Sequence, residues 1–127
     1  MWIFTKIGFV SAVEDGENPG RVLLRFRARE DADAFARTAA ESLGQPPTVQ
    51  KTPEADYLYR FGLDKSEWSA ILAKLGEGID YPNFKDATLA ASPANSTDAR
   101  HGAYMAVWQT MWNFQDIAAE MDRQAEA

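Results

Sequence analysis

Cysteine is absent from the 127 residues, which excludes disulfides and thiolate-held metals and leaves the redox compartment unmarked. Histidine occurs once, at His101, so one copy of the chain cannot build a multi-histidine metal centre or a histidine-rich catalytic site. No apolar run approaches the roughly 20 residues that span a bilayer, and no membrane partner is expected. Positive charge is also scarce. Thirteen Lys and Arg against 19 Asp and Glu leave a net charge of −6, which argues against global attraction to nucleic acid or anionic lipid. The opening residues lack the basic region, unbroken apolar stretch and small-residue cleavage site of a signal peptide. A cytoplasmic location is therefore the expectation. There is no glycine-rich phosphate loop or dinucleotide fingerprint, no internal repeat and no low-complexity tract. Nothing calls for a metal or a cofactor.

What is present is a foldable chain. Hydrophobic residues make up 46% of it, and its length suits one domain, since domains run to roughly 100–150 residues. The stretch around which the rest is organised is WIFTKIGFVSAV, residues 2–13. A strand with one face in water alternates apolar with polar residues. Here Ile3, Ile7 and Phe9 at one parity and Trp2, Phe4 and Val10 at the other make both faces apolar. That pattern predicts an inner strand, paired on both sides and covered on both faces.

A turn-rich EDGENPG follows, and RVLLRFRA, residues 21–28, reads as a second strand paired in an antiparallel hairpin. Residues 30–43 form a helix, with Ala32, Phe35, Ala36, Ala39 and Leu43 on one stripe and Gly44 placed for a left-handed cap. A short edge strand is expected within 48–52. Tyr57, Tyr59, Phe61 and Leu63 then alternate with Leu58, Arg60 and Gly62 in a half-buried strand, whose aromatic face is expected to meet the first two helices. Asp64 and Glu67 open the second helix as a capping box. Its buried face is Trp68, Ile71, Leu72 and Leu75, with its end at Gly76. Residues 80–97 are irregular, with one or two helical turns at 83–91 and a linker at 92–97. The last element is a long helix from Asp98, with Tyr104, Val107, Met111, Phe114, Ala118 and Met121 spaced 3, 4, 3, 4, 3.

The expected class is α+β: an antiparallel four-stranded sheet in β-β-α-β-β-α order, helices on one face, plus a long C-terminal helix. As one domain it comprises residues 1–79 (sheet and two helices), 80–97 (irregular) and 98–127 (the last helix). That last helix is the available cover for the second face of the sheet.

The opening MWIFTKIGFVS, the middle PEADYLYR, the later IDYPNFKD and YMAVW in the last helix together resemble a family of small bacterial proteins with no assigned activity. The resemblance implies a stable, free-standing domain. It carries over no catalytic or binding residue.

Four constellations are weighed against plainer structural roles. Asp80, Tyr81, Asn83, Lys85 and Asp86 gather carboxylates, an amide, a phenol and an ammonium on an irregular segment, where functional groups concentrate. The plainer role is a helix start, with Asn83 or Asp80 satisfying free amides. Lys6, Arg25, Arg27 and Arg60 lie among aromatics, the combination that holds single-stranded RNA by charge and stacking. Their plainer role is an ion-paired sheet face, and an acidic chain disfavours nucleic acid. His101 has Asp98 at i−3 to orient it, but no nucleophile is marked beside it, so the reading leans away from an enzyme. Trp108, Met111, Trp112 and Phe114 would ordinarily be core, yet they exceed what one buried stripe needs. Exposed tryptophan and methionine supply contact area for partners.

The sequence therefore reads as a small, acidic, soluble binding module acting through protein–protein contact, with a partner protein or a second copy. The candidate surface is Trp108, Met111, Trp112 and Phe114 with Asp80, Tyr81, Asn83 and Lys85. One alternative is a nucleic-acid-associated protein using Lys6, Arg25, Arg27 and Arg60. Another is an acidic inhibitor that mimics nucleic acid, motivated by Glu30, Asp31 and Asp33.

Overall fold

The computed structural model describes residues 1–91 and 97–127. Residues 92–96 of the expected 92–97 linker and the side chains of Thr97 and Asp98 lie outside the described residues; Thr97, the last of that linker, is instead the first residue of the last helix. The described chain divides into two compact units, Met1–Pro82 and Asn83–Ala127.

The first unit holds strands β1 (Trp2–Thr5), β2 (Gly8–Glu14), β3 (Arg21–Phe26), β4 (Gln50–Lys51) and β5 (Tyr59–Asp64), with helices α1 (Arg29–Leu43) and α2 (Lys65–Glu77). The second holds α3 (Phe84–Ala91) and α4 (Thr97–Glu126). The class is α+β, with an antiparallel sheet and a long C-terminal helix. The sheet has five strands rather than four, in the order β1-β2-β3-β5-β4.

The extra strand comes from the opening stretch, which is a hairpin rather than one strand. Thr5 Oγ1 accepts the amides of Ile7 (3.2 Å) and Gly8 (3.1 Å) and donates to the Gly8 carbonyl (2.7 Å). One hydroxyl thus replaces the ladder at residues 6 and 7. Gly8 has φ +145, and the carboxyl of Asp31 occupies the space where a Cβ would lie, 2.5 Å from its Cγ. Only glycine suits that position. The fold consequence is that β1 is an edge strand and β2 the inner one, between β1 and β3.

Register explains why both parities were apolar. Ile3 pairs with Val10 on the helix-covered face, and Phe4 pairs with Phe9 on the other, with their rings stacked at 4.6 Å. The core lies under α1 and α2. Val10, Leu24, Phe26, Phe35 and Ile71 are almost wholly buried, and Phe61, Leu63 and Trp68 belong to the same cluster. Phe26 stacks on Phe61 at 5.3 Å and tilts against Phe35 at 5.5 Å. Burial of this kind is the main favourable term in folding.

Of the expected aromatic row, Phe61 enters the core and Tyr59 packs half-buried at its margin. Tyr57 precedes β5 and does not join that cluster. Its ring lies beneath the guanidinium groups of Arg25 and Arg27, which alternate with Leu24 and Phe26 and so belong to the opposite face.

Local signals set the element ends. Gly44, at φ 83, donates its amide to Ala40 O at 2.8 Å and ends α1. The Asp64/Glu67 capping box opens α2, with Asp64 N donating to Glu67 Oε1 at 2.7 Å. The helix passes the expected stop at Gly76 and closes at Gly78, whose amide reaches Lys74 O at 2.9 Å. In the β2–β3 turn, Asp15 accepts the Glu17 amide at 3.0 Å and the Asn18 side chain at 3.3 Å. These bonds, the Glu17 amide foremost, hold the Asp15 carboxyl below its ordinary pKa. A carboxyl lowered by folding stabilises above its unfolded pKa, and the contribution is lost as pH falls through the folded value. The expected result is an Asp15 side-chain carbon that titrates by NMR at lower pH than that of an unstructured aspartate. An ordinary midpoint would contradict the turn.

Candidate functional site

Asp80 and Tyr81 belong to the first unit and Asn83 and Lys85 to the second, so the IDYPNFKD stretch straddles the division. In the first unit Lys6, at the tip of the β1–β2 hairpin, pairs with Asp80 at 3.2 Å and lies over the Tyr81 ring at 5.5 Å. These groups border a groove of about 530 Å³ lined by Ile3, Ile7, Leu75 and Ile79. Its other charged lining residues, Lys74 and Glu41, pair with each other at 2.8 Å. Groups already tied in pairs are poorly placed to orient a ligand. In the second unit Asn83 Oδ1 accepts the Asp86 amide at 3.0 Å, which makes it the start of α3, the plainer of its two roles.

Arg25, Arg27 and Arg60 come together, and Lys6 does not join them. Arg25 sits between Ser11 and Arg60 in the sheet register and donates to Ser11 Oγ at 2.8 Å. Arg27 donates to the Asp56 carbonyl at 2.7 Å. Arg60 donates to Thr52 Oγ1 at 3.0 Å and the Tyr57 carbonyl at 3.3 Å. The guanidiniums of Arg25 and Arg27 lie 4.5 and 4.0 Å from the Tyr57 ring centroid, which is 3% exposed. Arg27 and Arg60 donate to the 52–57 loop and hold it against the sheet, while Arg25 donates to Ser11 and keeps a buried Nε without a hydrogen-bond partner. The expected consequence is weak binding of single-stranded RNA. A uridine oligonucleotide titrated at physiological salt should bind no more tightly than the weak end of non-specific association, about 10⁻⁴ M. Micromolar binding lost on Arg25→Ala and Arg27→Ala would reverse this reading.

The acidic cluster is likewise occupied. Asp31 is 3% exposed and accepts the Phe9 amide at 2.9 Å, joining α1 to β2. Asp33 pairs with Arg29 at 3.3 Å. With Asp31 buried and Asp33 paired, two of the three carboxylates serve the fold itself. Among the described residues no cluster of three or more metal-ligating side chains occurs, and no helix is long and apolar enough to cross a membrane.

The remaining candidate residues lie on α4, and they form a surface. Trp108, Met111, Trp112 and Phe114 are 44%, 55%, 49% and 57% exposed. Spacing points to a core stripe; exposure makes it an open one. Ile117 and Met121 continue it at 60% and 63%. These two were missed as candidates, although the 3-4 spacing already contained Met121. The indoles of Trp108 and Trp112 lie 5.4 Å apart on adjacent turns. From α3, Phe84 stacks on Tyr104 at 5.8 Å and the Lys85 ammonium lies 5.0 Å over the Trp108 ring. Lys85 and Trp108, two residues picked separately from sequence, are thus neighbours. The polar residues pair along other directions of the helix, Gln109 with Asn113 at 3.0 Å and Arg123 with Glu120 at 2.6 Å.

Comparison of the chain with protein-family models, curated proteins and solved structures returns no match. The arrangement of side chains is therefore what bears on function.

Proposed function

We propose that the protein is a small binding module that acts by protein–protein contact through the apolar face of α4. One observation carries the reading: Trp108, Met111, Trp112 and Phe114 are each at least 44% exposed on successive turns of one helix. Contiguous exposed apolar surface of this kind marks a contact site, because leaving it in water is costly and ordinary surfaces avoid it. The residue types fit as well. Tryptophan is a frequent anchor of interface energy, and methionine adapts its shape to what it meets. The Lys85 ammonium over Trp108 supplies a charged rim beside the apolar centre, the usual arrangement of an interface.

Photo-crosslinking tests this directly. A benzophenone side chain in place of Trp112 should yield a covalent protein adduct in cells, and one in place of the exposed Ser42 on α1 should not. Equal yields from the two positions, or none from 112, would contradict the proposal.

A further inference from the structure

We infer that the occupant of the α4 face is a different protein, one that receives the helix in an apolar groove with lysine or arginine at one end. This rests on the contact reading above and gives the partner's chemistry.

The first support is how far round the helix the apolar surface runs. At about 100° per residue, the exposed apolar residues pass from Ile117 through Phe114 and Met111 to Trp112 over about 220° of the circumference. Only Thr110 and Gln115 interrupt them. Gln109, Asn113, Asp116 and Glu120 make a polar strip about 60° wide on the other side. A surface helix that meets a single layer needs an apolar stripe of roughly 100°, and one that is apolar nearly all round is enclosed. Trp112 and Ile117, 49% and 60% exposed, stand on opposite flanks of the arc, so one flat contact cannot bury both. A groove that takes the helix between two walls does.

Charge is the second support, and it selects the partner. Residues 83–127 carry six acidic side chains against three basic, and residues 1–82 carry thirteen against ten. A second copy would therefore bring acidic excess to acidic excess, and like charges brought together oppose association. In α4 the excess lies toward the C-terminus, with Asp116, Glu120, Asp122 and Glu126 against Arg123. Glu120 is taken up by Arg123 at 2.6 Å, whereas Asp116 and Asp122 have no cation at pairing distance among the described residues. By sequence the other end is balanced, Asp86 and Asp98 against Lys85 and Arg100. The basic groups of the partner thus belong opposite 116–126.

The test places benzophenone at Trp112, at Ile117 and at Asn113 in turn, in the cells that make the protein. Positions 112 and 117 should give adducts with one and the same protein at two different peptides, and position 113, in the middle of the polar strip, should give little. Asp116→Lys/Asp122→Lys should lower both yields by about fivefold or more, each exposed ion pair contributing up to about that factor. Asp116→Glu/Asp122→Glu should leave them unchanged. Adducts from one flank only overturn the groove, and yields indifferent to the charge reversal overturn its basic end. Adducts of the chain with itself overturn the choice of partner. In each of these cases the contact reading survives. If neither flank yields an adduct, both fail.

Discussion

Gly8→Ala is expected to lower the unfolding free energy by about 4 kcal/mol, because two penalties coincide at one Cβ. Backbone strain in a region that side chains rarely adopt costs about 1–3 kcal/mol, and Gly8 stands at φ +145. Overpacking costs about 1–3 kcal/mol more, since the new carbon would meet the Asp31 carboxyl at 2.5 Å. Asp31 cannot simply withdraw, as it holds the Phe9 amide at 2.9 Å. Gly16→Ala is the matched control, with nothing within 4 Å of its Cβ, and should stay within about 0.5 kcal/mol. Urea unfolding of the two variants decides it. A loss below about 1 kcal/mol at Gly8, the size of ordinary surface changes, would mean the hairpin turn is misplaced.

Phe26→Ala is expected to cost about 3–5 kcal/mol, the range for a fully buried aromatic removed with little collapse around it. Phe26 has no exposed surface and lies between the rings of Phe35 and Phe61, so its removal opens a void where α1 meets β3 and β5. Tyr59→Ala should cost less, since Tyr59 is half-buried at the core margin. Equal losses at the two positions would contradict the description of the core.

Much of the fold is legible in the residues because local rules act there alone. Gly44 ends α1 and the Asp64/Glu67 box opens α2 by backbone geometry and hydrogen bonding that neighbours do not alter. The opening hairpin is not legible, because its turn is made by an unusual device. Thr5 and Gly8 close it through a side-chain hydroxyl, and the apolar residues on either side keep alternating as if one strand ran through. Tyr57 has the right parity for the core and the wrong position, since the strand begins at Tyr59 and two guanidiniums capture its ring first. Parity cannot foresee where pairing starts.

The candidate surface was half legible. Trp108, Met111, Trp112 and Phe114 stand out by composition, and Lys85 joins them by the packing of α3 on α4. Spacing alone does not separate a buried stripe from an open one, because the same 3-4 repeat serves a core and a seam between chains. Exposure makes the distinction.

The most direct test of that distinction is urea unfolding of Met111→Glu/Phe114→Glu beside the wild type, at a concentration too low for association. A carboxylate on an open helix face costs the folded chain little, so the two unfolding free energies should agree to within about 1 kcal/mol, two surface changes of up to about 0.5 each. A loss of several kcal/mol would show the face to be part of the chain's own core and would contradict its use as a contact surface.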